Sequence, residues 1–163
     1  GFSNIQKGHG ISWADLDRDG DQDIYITMGG AHEGDVYQNQ LLLNPSQRNN
    51  WINLQLKGDT TNAKAIGTKV HILTSEGQDI YRTVSTGASF GGNSLDLEIG
   101  LGTAKTITKL EIFWSVSQSE QVFENISANQ FLEITEGQDA FKVRKLGPMP
   151  LKMNHHEGSS ATE

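Results

Sequence analysis

The chain has 163 residues, 35% of them hydrophobic, with 18 glycines against three prolines. That is the length of one ordinary domain, or of a domain plus part of a second, with turns in abundance. Twenty acidic against 13 basic residues, a formal charge of −7, argue against a nucleic-acid binder with its clustered basic face. The lack of cysteine excludes a disulfide scaffold, a zinc–thiolate site and a cysteine nucleophile.

No apolar run approaches the ~20 residues of a membrane-spanning helix. The opening GFSNIQKGHG has neither the charged and apolar regions of a signal peptide nor an initiator Met. The chain is therefore expected to begin inside a longer protein, with any export signal upstream. In residues 1–45, ISWA (11–14) leads into an acidic stretch and IYITM (24–28) leads out of it to Gly29-Gly30. Both flanks are short, β-branched or aromatic and bounded by turn residues, so they predict a hairpin. So short a segment buries little core alone and must lean on a neighbour.

Residues 46–137 predict a run of short strands at 51–56, 69–73, 80–84, 95–99, 107–113, 121–123 and 130–134, separated by Gly-, Ser- and Asp-rich turns. In the first of them Trp51, Asn53 and Gln55 alternate with Ile52, Leu54 and Leu56, the period of a strand with one buried face. The expected class is all-β, a β-sandwich-like domain or a small barrel. Residues 138–163 read as an arm whose apolar part, 141–151, docks, followed by a mobile tail. His155-His156 in that tail read as exposed tail histidines rather than a metal site.

The stretch DLDRDGDQD places Asp15, Asp17, Asp19, Asp21 and Asp23 within residues 15–23, around Gly20. Without a counter-ion such carboxylates repel at close range. Calcium takes six to eight oxygens at roughly 2.3–2.6 Å, and alternation sends the odd positions of the loop inward. The predicted ligands of Ca2+ are the side chains of Asp15, Asp17, Asp19 and Asp23 and the backbone carbonyl of Asp21, whose side chain would face solvent. An EF-hand shares the first six positions but needs flanking helices and Glu at position 12; that position is Ile26. Magnesium, with its small octahedral shell, fits less well.

These residues bear a resemblance. KGHGISWADLDRDGDQDIYITMGG is similar to an FG-GAP/VCBS-type repeat, a calcium-binding blade of β-propellers. LLLNP (41–45), NWINLQLKG (50–58), NAKAIGTKV (62–70), STGASFGGNSL (85–95), IGLG (99–102), LEIFW (110–114) and ITEG (134–137) resemble the ASPIC/UnbV domain of the cartilage acidic protein family. The family often has W-P-S-G where this chain has Trp114-Ser115-Val116-Ser117, so that turn is expected to be built differently. The resemblance implies one partial propeller-type repeat ahead of the β-domain, with further blades upstream. It also implies an extracellular or periplasmic, calcium-stabilised protein concerned with binding or adhesion, without implying an enzyme.

Catalytic candidates are sparse. His71, in KVHIL, reads as sheet-face packing, His9 as a structural hydrogen-bonding residue before the hairpin, and His32 as a loop residue. No serine lies in a G-x-S-x-G elbow. GASFGGNS lacks the Lys and Ser/Thr of a phosphate loop and reads as a loop in which Phe90 packs and the glycines permit close backbone approach. Trp13, Trp51 and Trp114 read as core anchors. The expected partner is an extracellular protein or matrix component. The alternatives are a carbohydrate-binding or accessory domain of a secreted enzyme, marked by exposed coplanar aromatic rings, and a structural cap or assembly subunit.

Overall fold

The computed structural model describes residues 8–30, 32–34, 36–45, 49–87 and 90–149. Among these the chain is all-β, with eleven strands and no helix, hence none long and apolar enough to cross a membrane. The expected His155-His156 tail and Leu151 lie outside the described residues.

The N-terminal segment forms a three-stranded antiparallel sheet of β1 (Gly8–Ala14), β2 (Asp23–Met28) and β3 (Gln40–Leu42). The β1–β2 hairpin is the one expected from its flanks, with Ala14 paired to Asp23 at its base. β3 adds a strand that the short QLL segment did not announce.

The remaining strands are β4 (Asn50–Lys57), β5 (Lys69–Thr74), β6 (Asp79–Thr83), β7 (Leu97–Gly102), β8 (Thr106–Phe113), β9 (Glu120–Ser127), β10 (Gln130–Thr135) and β11 (Lys142–Arg144). They make two four-stranded sheets, β11-β10-β4-β7 and β6-β5-β8-β9. These sheets do not close on one another, so of the two expected forms the sandwich-like one is found and the barrel is not. β4 opens the domain and β10 returns beside it in parallel. The connection is possible because the chain crosses to the other sheet as β5 and β6, returns as β7 and crosses again as β8 and β9 before β10.

Alternation builds the core. Ile52, Leu54 and Leu56 of β4, Ile99 and Leu101 of β7, and Leu132 and Ile134 of β10 are buried in one cluster with Val70, Ile72, Leu110, Ile112 and Trp114. Burial of these apolar faces is the main driving force for the two sheets to pack. In β8 and β9 the buried positions step by three, Ile107 to Leu110 and Phe123 to Ile126. The pairing of β5 with β8 shifts between Leu73 and Thr74, and Asn125 adopts a left-handed φ of 55°. Such irregularities re-phase a strand, and β9 accordingly runs four residues past the expected end at 123.

The C-terminal arm docks over its described length. β11 pairs with β10, Phe141 packs edge-on against Phe123 at 5.7 Å between centroids, and the Met149 N–H donates to the Asp17 carbonyl at 2.8 Å. The segment beginning at Phe90 lies along β1. A Cβ on Gly91 would stand 2.3 Å from the Ile11 carbonyl oxygen, and one on Gly10 2.1 Å from that of Phe90. Close backbone approach is thus what these glycines permit. Phe90 itself is 82% exposed, so the expectation that it packs is overturned: its backbone, not its ring, makes the contact.

Candidate metal centre

The acidic loop spans the turn between β1 and β2. Alternation brings carboxylate oxygens of Asp15, Asp17 and Asp19 within 4.8 Å of one another. Two left-handed residues curl the backbone, Arg18 at φ 61° and Gly20 at φ 99°. At Gly20 the requirement for glycine is double, because a Cβ would fall 1.8 Å from Nε1 of Trp51. The Trp51 ring in turn meets Phe131 edge-on at 4.8 Å and 62°. The loop therefore rests on an indole of β4, on the face of the sheet opposite the core. Trp114 is the fully buried anchor, with Nε1–H donating to Gln121 Oε1. Trp13 is 40% exposed and is no core anchor, which corrects that reading; Trp51 anchors the loop instead.

The loop is organised by its own amides. Asp15 Oδ1 accepts from the Asp19 N–H at 3.0 Å and its Oδ2 from the Gly20 N–H at 3.1 Å. Asp17 Oδ1 accepts from the Asp19 N–H at 3.3 Å, and Asp19 Oδ1 from the Asp21 N–H at 2.9 Å. Asp23, 2% exposed, accepts from the Leu16 N–H at 3.1 Å and the Asn44 N–H at 2.9 Å. It ties the loop base to the exit of β3 while keeping further lone pairs on both oxygens. Asp21 is half-buried and is not among the three carboxylates that meet. Ile26, at position 12, is buried in β2, and both flanks are strands, unlike an EF-hand.

Electrostatics at the cluster are unfavourable to charge. Burial raises Asp15 to about 6 despite the Gly20 and Asp19 amides, with the charges of Glu98 and Asp19 adding to the rise. Burial, then the charges of Asp19 and Asp23, also raise Asp17. Glu98, on β7, is raised by burial and by Asp96 and Asp23, against hydrogen bonds from Gln22 and the Asp15 amide. Glu98 is a residue that sequence reasoning missed: its Oε2 accepts from the Asp15 N–H at 3.1 Å and from Gln22 Nε2 at 3.0 Å. A positive charge placed among such carboxylates would favour their ionised forms. The available ligand atoms are all hard oxygens, which suit calcium in preference to nitrogen- or sulfur-seeking metals.

The second ionisable constellation lies on the outer face of the other sheet. His71 Nδ1 is 2.7 Å from Glu111 Oε2 and Nε2 is 2.6 Å from Asp79 Oδ1. The imidazole stacks on Tyr81 at 4.4 Å and 8°. Hydrogen bonds to Asp79 and then to Glu111 raise its pKa, against burial. Both ring nitrogens are thus engaged, and neither is directed at a nucleophile. His9 and His32 are exposed. Sequence reasoning also missed Glu136, a buried carboxylate in the turn after β10; its only sequence signal was a place in ITEG.

A family model described as ASPIC and UnbV matches residues 58–140, from the end of β4 to just before β11. Comparison with curated proteins gives no match.

Proposed function

We propose that this chain, which belongs to the ASPIC and UnbV family, is a calcium-stabilised, non-catalytic binding module of a larger extracytoplasmic protein. The observation that carries the reading is the convergence of Asp15, Asp17 and Asp19 in a loop held by its own amides and seated on Trp51. Ca2+ would take oxygens from these three carboxylates, from Asp23 at the loop base and from the Asp21 carbonyl. Its charge would offset the burial and, after it, the repulsion that raise Asp15 and Asp17. The hairpin and β3 are read as part of an FG-GAP/VCBS-type repeat, with upstream propeller blades of the same protein as neighbours. The ligand is read as an extracellular protein or matrix component, and the chain's charge of −7 disfavours nucleic acid. A binding role also agrees with His71, whose nitrogens are both committed to carboxylates.

Thermal melts in EDTA and across a calcium titration, with magnesium as control, test this. Extracellular calcium modules often bind at about 10⁻⁴–10⁻³ M. At ten to a hundred times the dissociation constant, linkage gives about 1.4–2.7 kcal/mol. Wild type should gain that stability selectively with calcium, and Asp17→Ala should lose the gain. A melt indifferent to calcium, or one raised equally by magnesium, overturns the metal reading.

One observation favours the glycan alternative. Tyr81 is 67% exposed, stacked parallel on His71, and borders a cavity of about 330 Å³ shared with Lys69, Arg82, Glu111 and Glu120. Glycan-array binding that is lost in Tyr81→Ala would support that reading, and a blank array for wild type would remove it.

A further inference from the structure

Between the acidic loop and the sandwich lies a cavity of about 180 Å³, bordered by Asp15, Arg18, Asn53, Asp96, Glu98 and Arg144. Asn53 on β4 and Glu98 on β7 are register partners, so their side chains stand side by side on the sheet's outer face, with Cβ atoms about 5 Å apart. The charged groups here are unequally answered. Asp96 Oδ2 receives Arg144 Nη1 at 3.1 Å, and Gln55 Nε2 donates to the same carboxylate at 3.2 Å. Arg18 Nη1 is directed to the Gly147 carbonyl at 3.5 Å. Among the described residues Glu98 has neutral donors alone, the Asp15 amide and the Gln22 side chain, and Asn53, 6% exposed, has no hydrogen-bond partner at its Oδ1.

An orphaned buried amide oxygen is uncommon and unfavourable. Here it accompanies two desolvated carboxylates, Asp15 and Glu98, neither of which meets a basic side chain among the described residues. Carboxylates short of a cationic partner describe the surroundings of a metal ion, and the two guanidiniums at the border are turned instead to Asp96 and to the Gly147 carbonyl. We infer that the cation of the loop is shared with the sandwich: Glu98, with the Asn53 amide oxygen beside it, supports the oxygen shell from the sheet side through bridging water. Binding then clamps the β1–β2 hairpin onto β4 and β7, and the site belongs to the junction rather than to the loop alone. This rests on the calcium reading of the loop.

Calcium titration calorimetry on the full chain, paired with amide hydrogen exchange with and without calcium, tests the inference in Glu98→Gln, Asn53→Leu and Asp17→Ala. Glu98→Gln keeps an oxygen for the Asp15 N–H and removes the charge. Outer-shell partners of a metal contribute about 10–100-fold in affinity, and a loss of that size is expected, together with loss of calcium-dependent protection at the Asp15 and Leu16 amides. Asn53→Leu should melt higher than wild type in EDTA, since the orphan oxygen is gone, yet bind calcium more weakly. That pair of opposite effects is one that a merely structural residue would not give, and it holds the test should Glu98→Gln fail to fold. If both variants bind calcium within about twofold of wild type while Asp17→Ala does not bind, the loop works alone and the shared site is overturned. If wild type binds no calcium, the loop reading falls and the shared site with it.

Discussion

Glu136 should make the sandwich acid-sensitive in a way that one substitution can isolate. Its side chain is buried, and Oε2 accepts from the Asp59 and Thr61 N–H groups, each at 2.7 Å. Oε1 accepts from Thr61 Oγ1 at 2.9 Å and from Ser117 Oγ. One carboxylate thereby ties the turn after β4 to the turn after β8 and to the end of β10. Burial alone would raise its pKa, but the donors from Ser117, Thr61 and Asp59 outweigh it and hold the group at about 2, from an ordinary 4.5. The sign follows from the depression: the stabilisation is complete above the ordinary value and is lost as pH falls toward the folded one. At about 1.36 kcal/mol per unit, the full contribution is about 3 kcal/mol near neutrality and about 1.4 kcal/mol at about pH 3. Glu136→Gln turns an amide toward N–H donors and abolishes the titration. Urea unfolding of wild type and variant at about pH 7 and about pH 3 should show their stability difference shrinking by about 2 kcal/mol. A difference that does not change with pH would refute the claim that ionised Glu136 holds these turns.

Three other outcomes follow from the site and the outer sheet face. Gly20→Ala forces a side chain into a left-handed backbone and into the Trp51 indole; about 1–3 kcal/mol of strain should lower the melting temperature and shift tryptophan emission, and unchanged emission would contradict the contact. Asp23→Ala strips the acceptor from the Leu16 and Asn44 amides, so it should destabilise in EDTA as well as in calcium, whereas Asp17→Ala should differ from wild type chiefly in calcium; equal behaviour of the two in EDTA would count against the structural role of Asp23. His71, raised by Asp79 and Glu111, contributes stability that is whole below its ordinary 6.5 and fades as pH rises through the higher folded value, so His71→Phe should flatten the stability profile on the alkaline side of that point, and an unaltered profile would show that the clamp does not form.

What the chain states locally, it states well. The β-branched flanks of the hairpin and the period-two run of β4 each depend on neighbours a few residues away, and each is found where the pattern puts it, while of the five aspartates at alternate positions Asp15, Asp17 and Asp19 converge. The losses begin where a residue answers to a distant one. The second half of β9 was hidden because a re-phased strand buries Phe123 and Ile126 three apart, which reads as no strand at all. β3 and β11, at three residues each, carry too little pattern to stand apart from loop, and they exist because β2 and β10 offer them an edge.

The site shows the same division with a sharper consequence. A strand's period separates its two faces but does not say what covers the outer one. The alternation of β4 sets Trp51, Asn53 and Gln55 on the face opposite Ile52, Leu54 and Leu56, and Glu98 of β7 lies on that face as the register partner of Asn53. The acidic loop lies over that side, through Gly20 against Trp51 and Asp15 against Glu98. Only this covering explains why Asn53 is buried with its oxygen unpartnered and why Glu98 and Asp15 are both raised. Had the outer face been open to water, all three would be solvated and none would be perturbed. The perturbation marks a joint between hairpin and sheet, and a cation binding there would act on the junction as well as on the loop.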